Sequence, residues 1–160
     1  RYIDDLISFN NEEFGKYLKN IYPKELEIKP TSPSEFESHY LDLTFMRDNK
    51  NSLSTKLYDK RDDFPFTIVN FPFLSSNIPA SPAYGVYISQ LIRYARCCSS
   101  YNDFKARHKI LVARLVSQGY KKNRLSNTFK KFYDRYSELI GKYHVSLSNL
   151  LQDADLSRSD

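Results

Sequence analysis

Arg1-Tyr2-Ile3-Asp4-Asp5-Leu6-Ile7-Ser8-Phe9 opens the chain with an aromatic-x-Asp-Asp box set between apolar residues. Short apolar arms on either side of a polar pair are the pattern of a β-hairpin, with the aspartates at its tip. Two adjacent carboxylates repel one another unless a cation lies beside them, so a fixed turn that holds both is explained by a bound divalent ion. Asp4 and Asp5 would supply hard oxygen ligands for Mg²⁺, with Mn²⁺ as the alternative. Ions held about 3.5–4 Å apart stabilise both the attacking and the leaving oxygen of an in-line phosphoryl displacement. The plainer reading of the same residues is a solvated hairpin tip, and the remainder of the chain decides between the two.

Downstream come a helix with an acidic start, then Tyr40-Leu41-Asp42-Leu43, then Leu53-Ser54-Thr55-Lys56-Leu57-Tyr58-Asp59-Lys60, then a basic helical region containing Gln118-Gly119-Tyr120. In that order behind the Asp pair, these segments resemble the second half of a reverse transcriptase, and more narrowly the Penelope-like retroelement enzymes, over roughly residues 1–150. The resemblance implies an α+β fold, in which antiparallel hairpins with a packing helix form part of a polymerase palm and an α-helical thumb follows. It implies that Asp4 and Asp5 bind the catalytic metal, Asp4 more directly, and that Tyr2 lines the site near the primer terminus with Ile3 packed behind it. The implied partners are an RNA template, a DNA primer duplex and a deoxynucleotide. The family's third aspartate lies on an earlier strand, which would precede Arg1. The chain is therefore expected to be a fragment of a nucleotidyltransferase, RNA-directed DNA polymerase by family, which lacks the N-terminal half and is inactive alone.

Composition is that of a globular chain: 41% of the 160 residues are hydrophobic and 15% aromatic, all Tyr or Phe. No run of about 18 uncharged apolar residues supports a membrane span. The net charge of +5 conceals an asymmetry, because residues 90–143 hold 13 Lys or Arg against three acids while the remainder is net acidic. Such clustering is the electrostatic footprint of nucleic-acid binding, where phosphate contacts supply affinity without sequence information. Lys121, Lys122, Arg124, Lys130 and Lys131 are the candidate contacts on the helices, and Lys60 and Arg61 join them from the Tyr-x-Lys segment. Cys97 and Cys98 are adjacent and far from any zinc-ligand spacing, so they read as reduced and the chain as intracellular, nuclear or cytoplasmic. His39, His108 and His144 share no motif and read as surface or packing residues.

Asn11 is the expected N-cap of an amphipathic helix through Phe14, Tyr17, Leu18 and Ile21, ending at Pro23. In a palm this helix would pack beneath the sheet. Leu26 and Ile28 alternate with charges as in a short strand, and Leu41, Leu43 and Phe45 pair with Leu53, Thr55 and Leu57 as a hairpin around Asp48–Asn51. Asp42 is read as a strand carboxylate facing solvent or a nearby Lys, and Asp62-Asp63, beside Lys60 and Arg61, as part of a charged linker. The expected divisions are a palm segment over 1–74, a linker over 75–80, a helical thumb over 81–151 and a disordered tail over 152–160. Within the thumb, helices are predicted from Ser81-Pro82, over 103–118 with Gly119 as the stop, and over 125–140 with Phe129, Phe132, Tyr133, Tyr136 and Ile140 as a buried stripe. Two further classes stay open: a non-catalytic nucleic-acid-binding module in which the Asp pair is only a turn, and a helical interaction domain with no affinity for nucleic acid.

Overall fold

In the computed structural model, which describes residues 1–157, alternating apolar residues build a three-stranded antiparallel sheet in the order β1 (Glu37–Tyr40), β2 (Leu43–Arg47), β3 (Leu53–Leu57). The expected hairpin is present as β2–β3, with Leu43 opposite Leu57 and Phe45 opposite Thr55. Its turn is closed by Asp48, whose carboxylate accepts from the Lys50 and Ser52 amides at 2.8 Å each, while Asn51 takes the left-handed conformation at φ 61°. What alternation alone presented as one strand from Leu41 is divided. Tyr40 pairs with Leu43, so Leu41-Asp42 is a two-residue turn that brings the unforeseen β1 back against β2.

Six α-helices lie among the described residues: α1 (Phe14–Ile21), α2 (Ala80–Cys97), α3 (Tyr101–Ser117), α4 (Lys122–Arg135), α5 (Ser137–Gly141) and α6 (Leu147–Asp153). Ser100 caps the start of α3 by accepting from the Asp103 amide, and beyond its other end Gly119 at φ 93° turns the chain in a conformation that Gly adopts without steric cost. The core lies between α2, α3 and α4. Tyr87 and Leu91 from α2 meet Phe104, Leu111 and Leu115 from α3 and Leu125, Phe129 and Phe132 from α4, all essentially inaccessible to solvent. A cluster of this size is the main favourable term holding the helices together.

The sheet and the segment after it are fastened to this bundle. Leu57 enters the core from β3, and the Thr55 carbonyl accepts from the Ser99 amide at 2.9 Å just beyond the end of α2. A 3₁₀ turn over Lys60–Asp63 follows, and Asp62 is held by Arg107 of α3. Further on, the Leu74 amide donates to the Gln118 carbonyl at 3.0 Å and the Tyr120 hydroxyl to the Pro72 carbonyl at 3.1 Å. Residues 58–79 are thus a strap laid along the helices, and α2 begins at Ala80.

Several expectations are corrected. Leu6–Phe9 is not the second arm of a hairpin, since pairing stops at the Tyr2–Asp5 bridge, and Leu26 and Ile28 are exposed outside any strand. Neither segment meets a free sheet edge among the described residues. The helix expected from an Asn11 cap to Pro23 forms as α1 over Phe14–Ile21, with Glu13 and not Asn11 at the N-cap position; none of its residues is buried, so it does not pack beneath the sheet. The helix expected over 125–140 breaks at Tyr136, whose ψ of 36° leaves the helical range; of the expected stripe, Phe129, Phe132 and Ile140 are buried while Tyr133 and Tyr136 are half-buried against the core. The expected tail is ordered through residue 157. Asp155 at φ 59° donates its amide to the Gln152 carbonyl, the Leu156 amide donates to the Leu151 carbonyl, and Leu156 is buried, which together form a Schellman stop. Residues 158–160 of that tail lie outside the described residues.

Candidate active site

The Asp box folds as a closed two-residue turn. The Tyr2 amide donates to the Asp5 carbonyl at 3.0 Å and the Asp5 amide to the Tyr2 carbonyl at 2.8 Å, leaving Ile3-Asp4 at the tip. Ile3 lies at φ 47°, a left-handed conformation that a β-branched side chain adopts only under steric strain of about 1–3 kcal/mol. Arg1 braces the turn, its Nε donating to the Ile3 carbonyl at 2.9 Å and its Nη1 to the Tyr22 hydroxyl at 2.9 Å, where Tyr22 caps α1. Tyr2, Asp4 and Asp5 are exposed, and among the described residues no side chain is hydrogen-bonded to, or ion-paired with, either carboxylate.

Asp5 opens onto a cleft of about 610 Å³ between this turn, the sheet and α2. A second strained turn forms part of the cleft wall, with Leu41 at φ 53°. Beside Leu41, Asp42 receives the Arg93 guanidinium of α2 in a two-point pair, at 3.0 Å from Nε and 2.9 Å from Nη2. Its partner is therefore an arginine of the bundle, in place of the expected solvent or lysine. The His39 ring stacks on Tyr58 with centroids 4.2 Å apart, and its Nδ1 is 2.9 Å from Thr44 Oγ1.

Asp59 forms the deepest charge of the wall at 8% exposure. Arg61 grips it through Nε at 2.7 Å and Nη2 at 2.6 Å, and these hydrogen bonds hold the carboxyl below the usual carboxylate range. Two of the three cleft aspartates are thus committed to arginines, and Asp5 is the one left free. Asp4 and Asp5 fit Mg²⁺ in kind, as exposed hard oxygens with no competing cation. They do not fill an octahedral shell, and among the described residues no group of three or more His, Cys, Asp or Glu converges on one point.

The basic candidates divide into two places. Lys60 and Arg61 line the cleft, Lys60 exposed and Arg61 spent on Asp59. Lys121, Lys122, Arg124, Lys130 and Lys131 are exposed on or beside α4. There Lys122 pairs with Asp155, Arg124 lies 4.3 Å from the Tyr84 ring centroid, and Lys130 and Lys131 face solvent without an acidic partner among the described residues. No sequence pattern marks Arg93, His39 or Tyr58 as a site residue. Their convergence depends on the Leu41-Asp42 turn, and the turn's own signal was the Asp at its second position. Neither protein-family models, nor curated proteins, nor solved structures give a match to this chain.

Proposed function

We propose that this chain is the C-terminal part of the palm and the thumb of an RNA-directed DNA polymerase of the Penelope-like kind, with Asp4 and Asp5 as two of its metal-binding carboxylates. The observation that carries the reading is the strained Tyr2–Asp5 turn, which presents two unpartnered carboxylates beside a cleft whose other aspartates are neutralised. Strain of that kind persists where the surrounding structure enforces it, and it clusters at functional sites. A solvated hairpin tip with no task would have no use for Ile in a left-handed position, where Asn or Gly forms the same turn without cost.

Mg²⁺, held by Asp4 and Asp5 with substrate phosphates and a third carboxylate from the preceding part of the enzyme, would supply charge neutralisation for in-line nucleotidyl transfer. The chain's own residues do the positioning. Arg93 fixes the Leu41-Asp42 turn against α2, so the wall that faces Asp5 is held to the thumb. Lys60 at the cleft and Lys130 and Lys131 on α4 would contact the phosphates of a template–primer duplex. The rival reading, a non-catalytic nucleic-acid-binding module, uses the α4 cations and leaves the strained turn without a role.

The test is primer extension on a primed RNA template with Mg²⁺, using this chain joined to the polymerase segment that precedes it. Extension is expected, and Asp4→Asn or Asp5→Asn is expected to abolish it without weakening duplex binding. Extension that survives both substitutions would reject the assignment of the metal site.

A further inference from the structure

The strap between sheet and bundle displays apolar side chains to solvent. Phe64 is 46% exposed and Phe66 62%, followed by Val69 and Phe73, and no charged residue occurs from Phe64 to Ile92. Exposed aromatics in series mark an interaction surface more often than chance. The segment is anchored at its far end, where Phe71 is buried and its carbonyl accepts from Gln118 Nε2 at 3.1 Å, next to the Pro72 and Leu74 anchors already described. Among the described residues, Thr67 to Asn70 form no backbone-to-backbone hydrogen bonds.

Phe64 and Phe66 stand with ring centroids 5.4 Å apart at 42° and wall a second cavity of about 360 Å³. Arg61 and Arg114 close its rim, and Arg61 lines the catalytic cleft as well, so the two cavities share a wall. Of the charges that line the Phe64–Phe66 cavity, Arg61 and Arg114 outnumber Asp62, and Arg114 reaches Asp62 only at 3.8 Å, which leaves its guanidinium donors open beside the two aromatic rings. Planar π-faces next to arginines suit an unpaired nucleotide, whose base stacks and whose phosphate meets the cation.

We infer that the Phe64–Phe66 cavity binds an unpaired nucleotide of a single-stranded nucleic acid that continues out of the cleft across Arg61. The inference rests on the polymerase reading and adds to it a single-strand site apart from the duplex-facing cations of α4. Because every base has a stacking face, the site is tolerant of sequence.

Fluorescence polarisation of the 160-residue chain tests it with three labelled probes of equal length: an oligothymidylate, the same backbone made abasic, and a duplex. Wild type is expected to bind the oligothymidylate roughly tenfold tighter than the abasic strand. The double variant Phe64→Ala, Phe66→Ala should bind both strands alike, with duplex affinity and salt dependence unchanged because the cations remain. Phe66→Trp should keep the preference, which separates loss of stacking from any loss of fold. Equal wild-type affinity for the two strands overturns the inference, as does an equal loss on all three probes. Sedimentation that shows the double variant abolishing self-association, with oligothymidylate affinity intact, would likewise overturn it and assign the patch to a protein contact. Survival of primer extension in Asp4→Asn would sink the polymerase reading and leave these affinities untouched, so the two failures are distinguishable.

Discussion

Lowering the pH should destabilise this fold through one buried imidazole. His108 of α3 is 2% exposed, its Nε2 lies 2.6 Å from the Tyr87 hydroxyl of α2, and its ring is flanked by Phe104 and by Phe129 of α4 at centroid distances of 5.6 and 4.8 Å. No carboxylate among the described residues faces it, and burial holds its pKa down at about 3. In the unfolded chain the same group titrates near about 6.5. Below that value the unfolded state binds a proton that the folded state refuses. The neutral His108 therefore contributes stability that is fully present above about pH 6.5 and is lost as pH falls toward its folded pKa. The slope approaches about 1.4 kcal/mol per pH unit, so about 2–3 kcal/mol is lost between pH 6.5 and 4.5, against a typical total of about 5–15 kcal/mol.

Urea unfolding of wild type and of His108→Gln at a series of pH values between about 7 and 4.5 measures this loss. Gln keeps a group able to hydrogen-bond Tyr87 and has no proton to gain. The variant should be less stable at neutral pH but flatter with acid, and the difference between the two curves should shrink by about 2–3 kcal/mol across the range. Asp59, Asp153 and Asp155 are held below the usual carboxylate range by hydrogen bonds from Arg61, Tyr101 and Lys122 respectively, and they weaken both proteins in acid alike. Parallel curves would refute the reasoning, for they would mean that His108 is protonated in the fold or is reached by water.

Arg61→Ala should cost about 2–3 kcal/mol in urea unfolding at neutral pH, because it strands the Asp59 carboxylate in a wall where only 8% of the residue is exposed; a loss under about 0.5 kcal/mol would show the pair to be solvated. Leu156→Ala should cost about 2–4 kcal/mol, as expected of a buried leucine and not of a frayed end, and an unchanged melting curve would place the chain end in solvent. Asp4→Asn and Asp5→Asn should each stay within about 0.5 kcal/mol of wild type by thermal unfolding, since neither exposed carboxylate has a partner to lose.

Periodicity made the helical half legible. Leu111, Val112 and Leu115 fall inside as their spacing predicts, and Phe129 and Phe132 do the same, because burial of one face is all that a 3.6-residue repeat encodes. The misses lie where that repeat is silent. A helix break at Tyr136 leaves the aromatic stripe intact, so spacing gives no sign of it. The stop after α6 uses Asp155 in the left-handed position that Gly usually fills, and Leu156 then reads as tail. At the candidate site, Asp4 and Asp5 could be named from the box itself, whereas the partners of Asp42 and Asp59 could not. One lies 51 residues away on α2 and the other only two residues away in a 3₁₀ turn, and no local pattern distinguishes them from neighbouring cations.

Those two pairings decide what the charged residues can do. An arginine bound at two points to a carboxylate has given up the donors with which it would grip a phosphate, and the carboxylate has given up the lone pairs with which it would hold a cation. Arg61–Asp59 and Arg93–Asp42 thus serve to fix the cleft walls, one within the strap and one between the sheet and α2. Arg107–Asp62 does the same between the strap and α3. Among the described residues the charges left unpaired here are Asp5 and Lys60, which line the cleft, and Asp4 at the tip of the strained turn. Under the polymerase proposal, Asp5 and Lys60 would meet ligand between walls that the Arg61–Asp59 and Arg93–Asp42 pairs hold in place. A ligand that met Asp4, Asp5 and Lys60 would break no structural contact, which makes Asp4→Asn a cleaner probe of the proposed function than any change to the arginines.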